Sequence, residues 1–215
     1  MRENALRDAR LSIGMPVNQQ GSLRDPSETT RRTPPSQEEI KAYLQATLHD
    51  GTYSSNHRFR ISQKGTSWLK HLKKMFRELG YNSWIYHEGK DRDVYILETL
   101  ANFLDFSFDP MGLRVPETQS AYIRGFFDAE GGIPHSTSAR FYIQLCQKDK
   151  VKMEKLKLML QRLGIASGVV HNPSQRVDPN YWRLFISSRS YLDFIRIIGT
   201  WHPRKIKILE KRKMI

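Results

Sequence analysis

Cysteine is almost missing from this chain. The single Cys146 excludes an internal disulfide and suits a reducing, intracellular compartment, cytoplasmic or organellar. No apolar run approaches the ~18 residues that a membrane helix needs, so no membrane partner is expected. The seven histidines do not fall into a zinc-ligand spacing. There is no glycine loop ending in Gly-Lys-Ser/Thr to cradle a nucleotide phosphate, and no nucleophile elbow. Acids are scarce as well: 22 Asp and Glu stand against 35 Lys and Arg, for a formal charge of +13. That balance says nothing of the fold, but it favours polyanionic partners, nucleic acid first. The length, 215 residues, allows one good-sized domain or two small ones sharing an interface.

Residues 1–36 are polar and rich in Pro and Gly, with almost nothing to bury, and are expected to be a disordered N-terminal tail. Glu3, Asp8, Asp25 and Glu28 offset its arginines and argue against a transit peptide.

Beyond the tail, the chain repeats itself. Arg60–Tyr81 aligns with Gln144–Ile165 at a constant offset of 84. Gln63-Lys64 falls on Gln147-Lys148, and Leu79-Gly80 on Leu163-Gly164. Leu69, Leu72, Phe76 and Leu79 fall on Met153, Leu156, Leu160 and Leu163, the apolar face of an amphipathic helix. The glycines then stop each helix. Upstream, Phe59 and Ile61 alternate with Arg58, Arg60 and Ser62; Ile143 and Leu145 alternate with Tyr142, Gln144 and Cys146. Period two marks half-buried strands. Two further β-rich runs, "DVYILET" and "NYWRLFISS", each precede an apolar stretch, "NFLDF" or "YLDF". Each unit therefore reads helix, strand, strand, helix, strand, strand, helix, an α+β pair of tandem αββαββα repeats. The first spans 37–106 and the second 121–215, with a two-proline linker at 107–120. His87 and His171 share the same offset and read as equivalent strand-end residues.

Each repeat opens on a helix that ends in an acid and a glycine: "AYLQATLHDG" at 42–51 and "AYIRGFFDAEGG" at 121–132. A helix is negative at that end, so acids there cost a few tenths to ~1 kcal/mol each. The second stretch resembles the motif of the LAGLIDADG homing endonucleases, with Gly125, Asp128, Glu130 and Gly131 in its characteristic places. The first is a degenerate match, with Gln45 and Leu48 where Gly and the first Asp usually stand. The resemblance runs from about residue 38 to 212 and takes in "WHPRK" at 201–205 as the closing segment.

The resemblance implies a pseudo-dimer in one polypeptide, a monomer with no obligate protein partner. Its motif helices would pack together through Ala42, Ala46, Ala121 and Gly125, and its two curved antiparallel sheets would form a DNA-binding saddle. Asp50 and Glu130 would hold Mg²⁺ beneath the minor groove. Mn²⁺ would substitute, and Ca²⁺ would support binding without efficient cleavage. One carboxylate per copy plus phosphate oxygens and water is a sensible magnesium donor set. Lys64 and Lys148 would stabilise charge on the phosphate or help activate water, and Gln63 and Gln147 would position it. Asp128 would be structural, since Leu48 occupies its place in the other copy.

By the same resemblance the outer sheet faces would read the major groove, where Arg–guanine and Gln–adenine pairs are the well-understood contacts. The candidates are Arg58, Arg60, Ser62 and Tyr95 in the first copy, with Arg140, Tyr142, Gln144 and Arg183 in the second. Because the copies differ, Arg60 against Gln144 for example, the site should be asymmetric. The implied activity is an intron-encoded, magnesium-dependent nuclease, a phosphodiester hydrolase that breaks both strands of double-stranded DNA and leaves short 3′ overhangs. Two alternatives need only the basic saddle: a maturase binding its own intron RNA, and a regulator that binds DNA without cutting.

Overall fold

Each of the two halves builds an antiparallel sheet backed by a helix, and the motif helices join them. The computed structural model describes residues 34–90 and 92–215, with Asp50 described by its backbone alone. Most of the expected tail lies outside the described residues. Within 34–36, Ser36 already caps the first helix, α1 (Gln37–Thr47): its Oγ accepts from Glu39 N at 3.2 Å while the Glu39 carboxylate accepts from Ser36 N at 2.9 Å. A tight turn, Leu48–Asp50, leads to β1 (Gly51–Tyr53), β2 (Phe59–Lys64), α2 (Ser67–Glu78), β3 (Ser83–His87) and β4 (Val94–Thr99). The strands pair antiparallel in the order β1-β2-β4-β3.

The second half repeats the plan with α3 (Pro116–Glu130), β5 (Gly131–Gly132), β6 (Gln144–Gln147), α4 (Lys150–Arg162) and β7 (Trp182–Phe185), the strands antiparallel in the order β5-β6-β7. Two helices complete it, α5 (Tyr191–Ile197) and α6 (Pro203–Lys211). The repeat is visible in detail. Leu69, Leu72 and Phe76 of α2, and Met153, Leu156 and Leu160 of α4, are all buried. Gly80 and Gly164 both take left-handed φ, +82° and +73°. The next residue donates back to Phe76 O or Leu160 O, so both helices end in the same glycine-dependent cap.

Three expectations need correction. Helix α3 begins at Pro116, inside the stretch read as linker, because proline at the first helical position has its φ preset and needs no hydrogen-bond acceptor. The first repeat has no closing helix: residues 100–109 are turns. Gln45 pins that segment, donating to Asp105 O at 2.6 Å and accepting from Asp105 N at 3.0 Å. Asp105 Oδ1 in turn accepts from Ser107 N at 2.8 Å, a local turn that competes with helix. In the second repeat, the strand expected after Gly164 is reduced to two isolated bridges, Ser167 to Ile186 and His171 to Arg183, whose registers differ by one residue, so no continuous ladder forms between them.

The two motif helices cross at close range. A Cβ on Gly125 would collide with the carbonyl oxygen of Tyr43 and sit 3.0 Å from Ala46 Cβ. Ala42, Ala46 and Ala121 are buried at the same interface. Among the described residues no helix is long and apolar enough to cross a membrane.

Candidate functional site

The acid-glycine ends of the two motif helices enter their sheets in the same way. Gly51 pairs with Ile61, two residues before Gln63, and Gly131 pairs with Leu145, two residues before Gln147. Carried one step further, that register sets Asp50 opposite Ser62, one residue before Gln63, as it sets Glu130 opposite Cys146, one residue before Gln147. In the second half Gln147 Nε2 lies 3.3 Å from Glu130 Oε1 and 3.3 Å from His49 O, the residue before Asp50. One amide thus ties the end of one motif to the end of the other. Gln63 and Gln147 also share a local contact: each side-chain oxygen accepts from the next backbone N–H, Lys64 at 3.1 Å and Lys148 at 2.6 Å. That leaves the exposed Lys64 and Lys148 ammonium groups directed by identical turns. Gln63 and Lys64 line a cleft of about 400 Å³ with Arg204, Lys207 and Lys211.

Around this centre the motif helices carry buried polar groups. Asp128 is buried and accepts from Tyr43 Oη at 2.7 Å, from Trp201 N at 2.8 Å and from the Thr200 hydroxyl. It is a structural tie to the C-terminal segment, as expected; burial raises its pKa, against the pull of Lys205 and these donors. Lys205 was not foreseen. It is 2% exposed, and its ammonium donates to Phe127 O and, at 3.1 Å, to Asp128 O while lying 4.3 Å from the Phe127 ring centroid. Burial lowers its pKa to about 8, with Asp128 opposing. A cation at the negative end of α3 offsets what the acids there cost the helix. Arg124 was likewise unforeseen: it is buried, donates to Ile198 O and lies 4.3 Å from the Trp201 ring centroid. His49 Nε2 and the Tyr122 hydroxyl are 2.8 Å apart, and burial, followed by the nearby Lys152 charge, takes His49 down to about 3.

Among the described residues no three His, Cys, Asp or Glu side chains form a preformed metal cage. One carboxylate from each motif end suits magnesium, which commonly takes one or two carboxylates together with substrate phosphates.

On the sheet surfaces, pairing sorts the other candidates. Arg60 pairs with Glu98, and Glu98 with Trp84, so Arg60, Ser62, Trp84 and Tyr86 share the face turned away from α2. Arg58 joins them, 4.7 Å from the Trp84 ring centroid. Tyr95 does not: it pairs with Gln63 and His87, on the opposite face with Ile61 and Leu97, and packs against the core. Strand parity thus corrects its assignment to the outer face. Gln144, Phe185 and Arg183 share the outer face of the second sheet, with Tyr142 against Phe185. Arg183 lies over Tyr181 and donates to its hydroxyl at 3.0 Å. Arg140 is exposed in the preceding loop. Glu98 was missed because "DVYILET" alone does not show which face each residue takes, and Trp84 and Tyr86 because the strand after Gly80 has only a weak signal of its own.

Residues 117–199 match the LAGLIDADG-like domain. No curated protein sequence matches the chain significantly. Among solved structures, I-DmoI in complex with DNA and Mn is 22% identical, covering 76% of this chain and 98% of that one with a TM-score of 0.58. Full-length DUF199/WhiA from Thermatoga maritima is 18% identical, covering 86% of this chain and 64% of that one, at 0.61. The N-terminal LAGLIDADG domain of DUF199/WhiA is also 18% identical, covering 82% and 90%, at 0.60. These likenesses bear on the fold: the chain has the fold of the LAGLIDADG proteins, with two antiparallel sheets set about paired motif helices.

Proposed function

With a LAGLIDADG-like domain over residues 117–199 as the premise, we propose that the chain is a site-specific double-strand DNA endonuclease. The observation that carries this reading is the Gln147 bridge between His49 O and Glu130 Oε1, which joins two acid-bearing helix ends in one centre. A sheet saddle and a motif-end cluster serve binding alone equally well, but an acid from each repeat at that centre serves hydrolysis. I-DmoI, bound to DNA and Mn in its own structure, supports the same direction.

In this reading Asp50 and Glu130 hold Mg²⁺ or Mn²⁺, with Ca²⁺ supporting binding without efficient cutting. When bound, the metal activates water and stabilises the leaving oxygen of a displacement at phosphorus. The chain supplies the rest. Gln147 orients the Glu130 carboxylate, and Gln63 holds the equivalent register position beside Asp50. Lys64 and Lys148 place positive charge where the phosphates run. Lys205 keeps the α3 terminus neutral enough to carry Glu130. Arg58, Ser62, Arg140, Tyr142, Gln144 and Arg183 face a long asymmetric site, and cutting across the minor groove leaves 3′ overhangs. The protein acts as a monomer.

One feature favours a second reading, a DNA-binding protein that does not cut. The first motif is degenerate, with Leu48 buried where the first Asp usually stands. Incubating the protein with long randomised duplexes in Mg²⁺ and in Ca²⁺, then sequencing cut and bound DNA, separates the two. Discrete ends with a 3′ stagger in Mg²⁺ establish the nuclease. Enrichment without cutting in either metal establishes the non-cleaving binder. Neither cutting nor enrichment overturns both readings.

A further inference from the structure

The first sheet carries an acid in the middle of its basic outer face. Glu98 has a side chain only 9% exposed. Its Oε1 accepts from Tyr86 Oη at 2.7 Å and meets Arg60 Nε at 3.3 Å. Its Oε2 accepts from Trp84 Nε1 at 3.2 Å and from Arg58 Nη1 at 3.2 Å. A carboxylate offers about four lone-pair sites. Three accept hydrogen bonds and the Arg60 Nε contact covers the remaining side, so Glu98 presents no open acceptor to a base.

The two arginines are left in different states. Arg60 Nη2 donates to Tyr86 Oη at 3.2 Å and Glu88 Oε1 at 3.0 Å, while its Nε is buried 3.3 Å from Glu98 Oε1 without a hydrogen bond. Its side-on edge is therefore closed to a base, with Nη2 occupied and Nε shielded. Arg58 gives only Nη1 to Glu98 and lies flat enough for its guanidinium carbon to be 4.7 Å from the Trp84 centroid. Its Nε–Nη2 edge keeps both donors, and its side chain is 37% exposed. Such a two-nitrogen edge matches guanine O6 and N7 in a single bidentate contact.

Resting on the DNA-binding reading above, we infer that Glu98 is a positioning residue that makes Arg58 the guanine reader of the first half-site and withdraws Arg60 from base recognition. The device belongs to one half only. Where Arg60 pairs with Glu98, the repeat pairs Gln144 with Phe185, which has no acceptor.

The test is selection of bound duplexes from a randomised pool in Ca²⁺, by wild type, Glu98→Gln, Arg58→Lys, Arg58→Ala and Arg60→Ala. Wild type should enrich a site with a defined G·C pair in one half. Glu98→Gln and Arg58→Ala should lower discrimination at that one pair by about tenfold or more, with Arg58→Lys between them and wild type, leaving the other half unchanged. Arg60→Ala should keep the guanine preference. A purely structural role would lower affinity across the whole site and reduce thermal stability without erasing one position. An unchanged site for Glu98→Gln, or loss of the guanine only in Arg60→Ala, overturns the inference. Arg58→Ala and Arg60→Ala alter half-exposed side chains, so together they decide which arginine reads the guanine even if Glu98→Gln fails to fold. If wild type enriches no sequence, the DNA reading itself fails and takes the inference with it.

Discussion

Gly125→Ala should destabilise this protein, although the same change in most helices does the opposite. In a helix interior Ala is favoured over Gly by about 1 kcal/mol. Here the new methyl group would collide with the Tyr43 carbonyl oxygen and crowd Ala46 Cβ at 3.0 Å. The first obstacle is backbone, which cannot rotate aside, so α1 and α3 must part by on the order of 1 Å. A gap of that size forfeits a quarter to a half of each dispersion well of ~0.1–0.2 kcal/mol, over a few tens of atom pairs. With the strain of overpacking, the cost comes to about 2–4 kcal/mol, which outweighs the helix gain and leaves a net loss of about 1–3 kcal/mol. For a domain of this size that lowers Tm by roughly 2–12 °C. Urea unfolding should show a lower midpoint with an unchanged slope. Moving the helices also pulls the Gln147 amide from its two partners, so cleavage should fall by more than binding. A Gly125→Ala protein as stable as wild type, or more so, would refute the close-approach argument.

Other consequences are equally open to measurement. Asp128→Asn keeps the shape but turns an amide donor toward Tyr43, Thr200 or Trp201, all of which already donate; chemical denaturation should show a loss of about 2–4 kcal/mol. Gln45→Ala should cost about 1–3 kcal/mol and raise hydrogen exchange in residues 100–109, whose turn it holds at Asp105. His202, which burial and the charges of Lys205 and Arg204 take to about 3 against 6.5, makes stability fall as pH drops from about 6.5 toward 3. In that window the unfolded chain binds a proton that the folded chain refuses, at ~1.4 kcal/mol per pH unit. Asp128, raised by burial, opposes this just above its ordinary value. His49, taken to about 3 by burial and the Lys152 charge, acts in the same direction, so His202→Phe should make the acid limb of a Tm-against-pH curve shallower without removing it.

The parts of this fold that were legible in the sequence are those whose signal is local and periodic. The buried faces of α2 and α4, the left-handed glycines that end them and the shared acid-glycine step all come from spacing within a few turns. The structural role of Asp128 could be read from its absence at Leu48. The failures have a common cause. Val94, Tyr95, Ile96 and Leu97 form an unbroken apolar run, so parity could not be read, and Tyr95 turned out to face the core while Ile96 lies fully buried on the other side. "NFLDF" has helical spacing, but Gln45, 60 residues away, decides its conformation. Lys205, Arg124 and Glu98 are charges buried by partners distant in sequence or on a neighbouring strand. Nothing in their own segments announces them.

In the proposed reading, one acid from each motif forms the cleavage centre. The direct measurement is cutting of a selected duplex in Mg²⁺ by wild type, Asp50→Asn and Glu130→Gln, with binding measured in parallel in Ca²⁺. Either substitution is expected to abolish double-strand cleavage while binding stays within a few-fold of wild type. Undiminished cutting by either variant would contradict it.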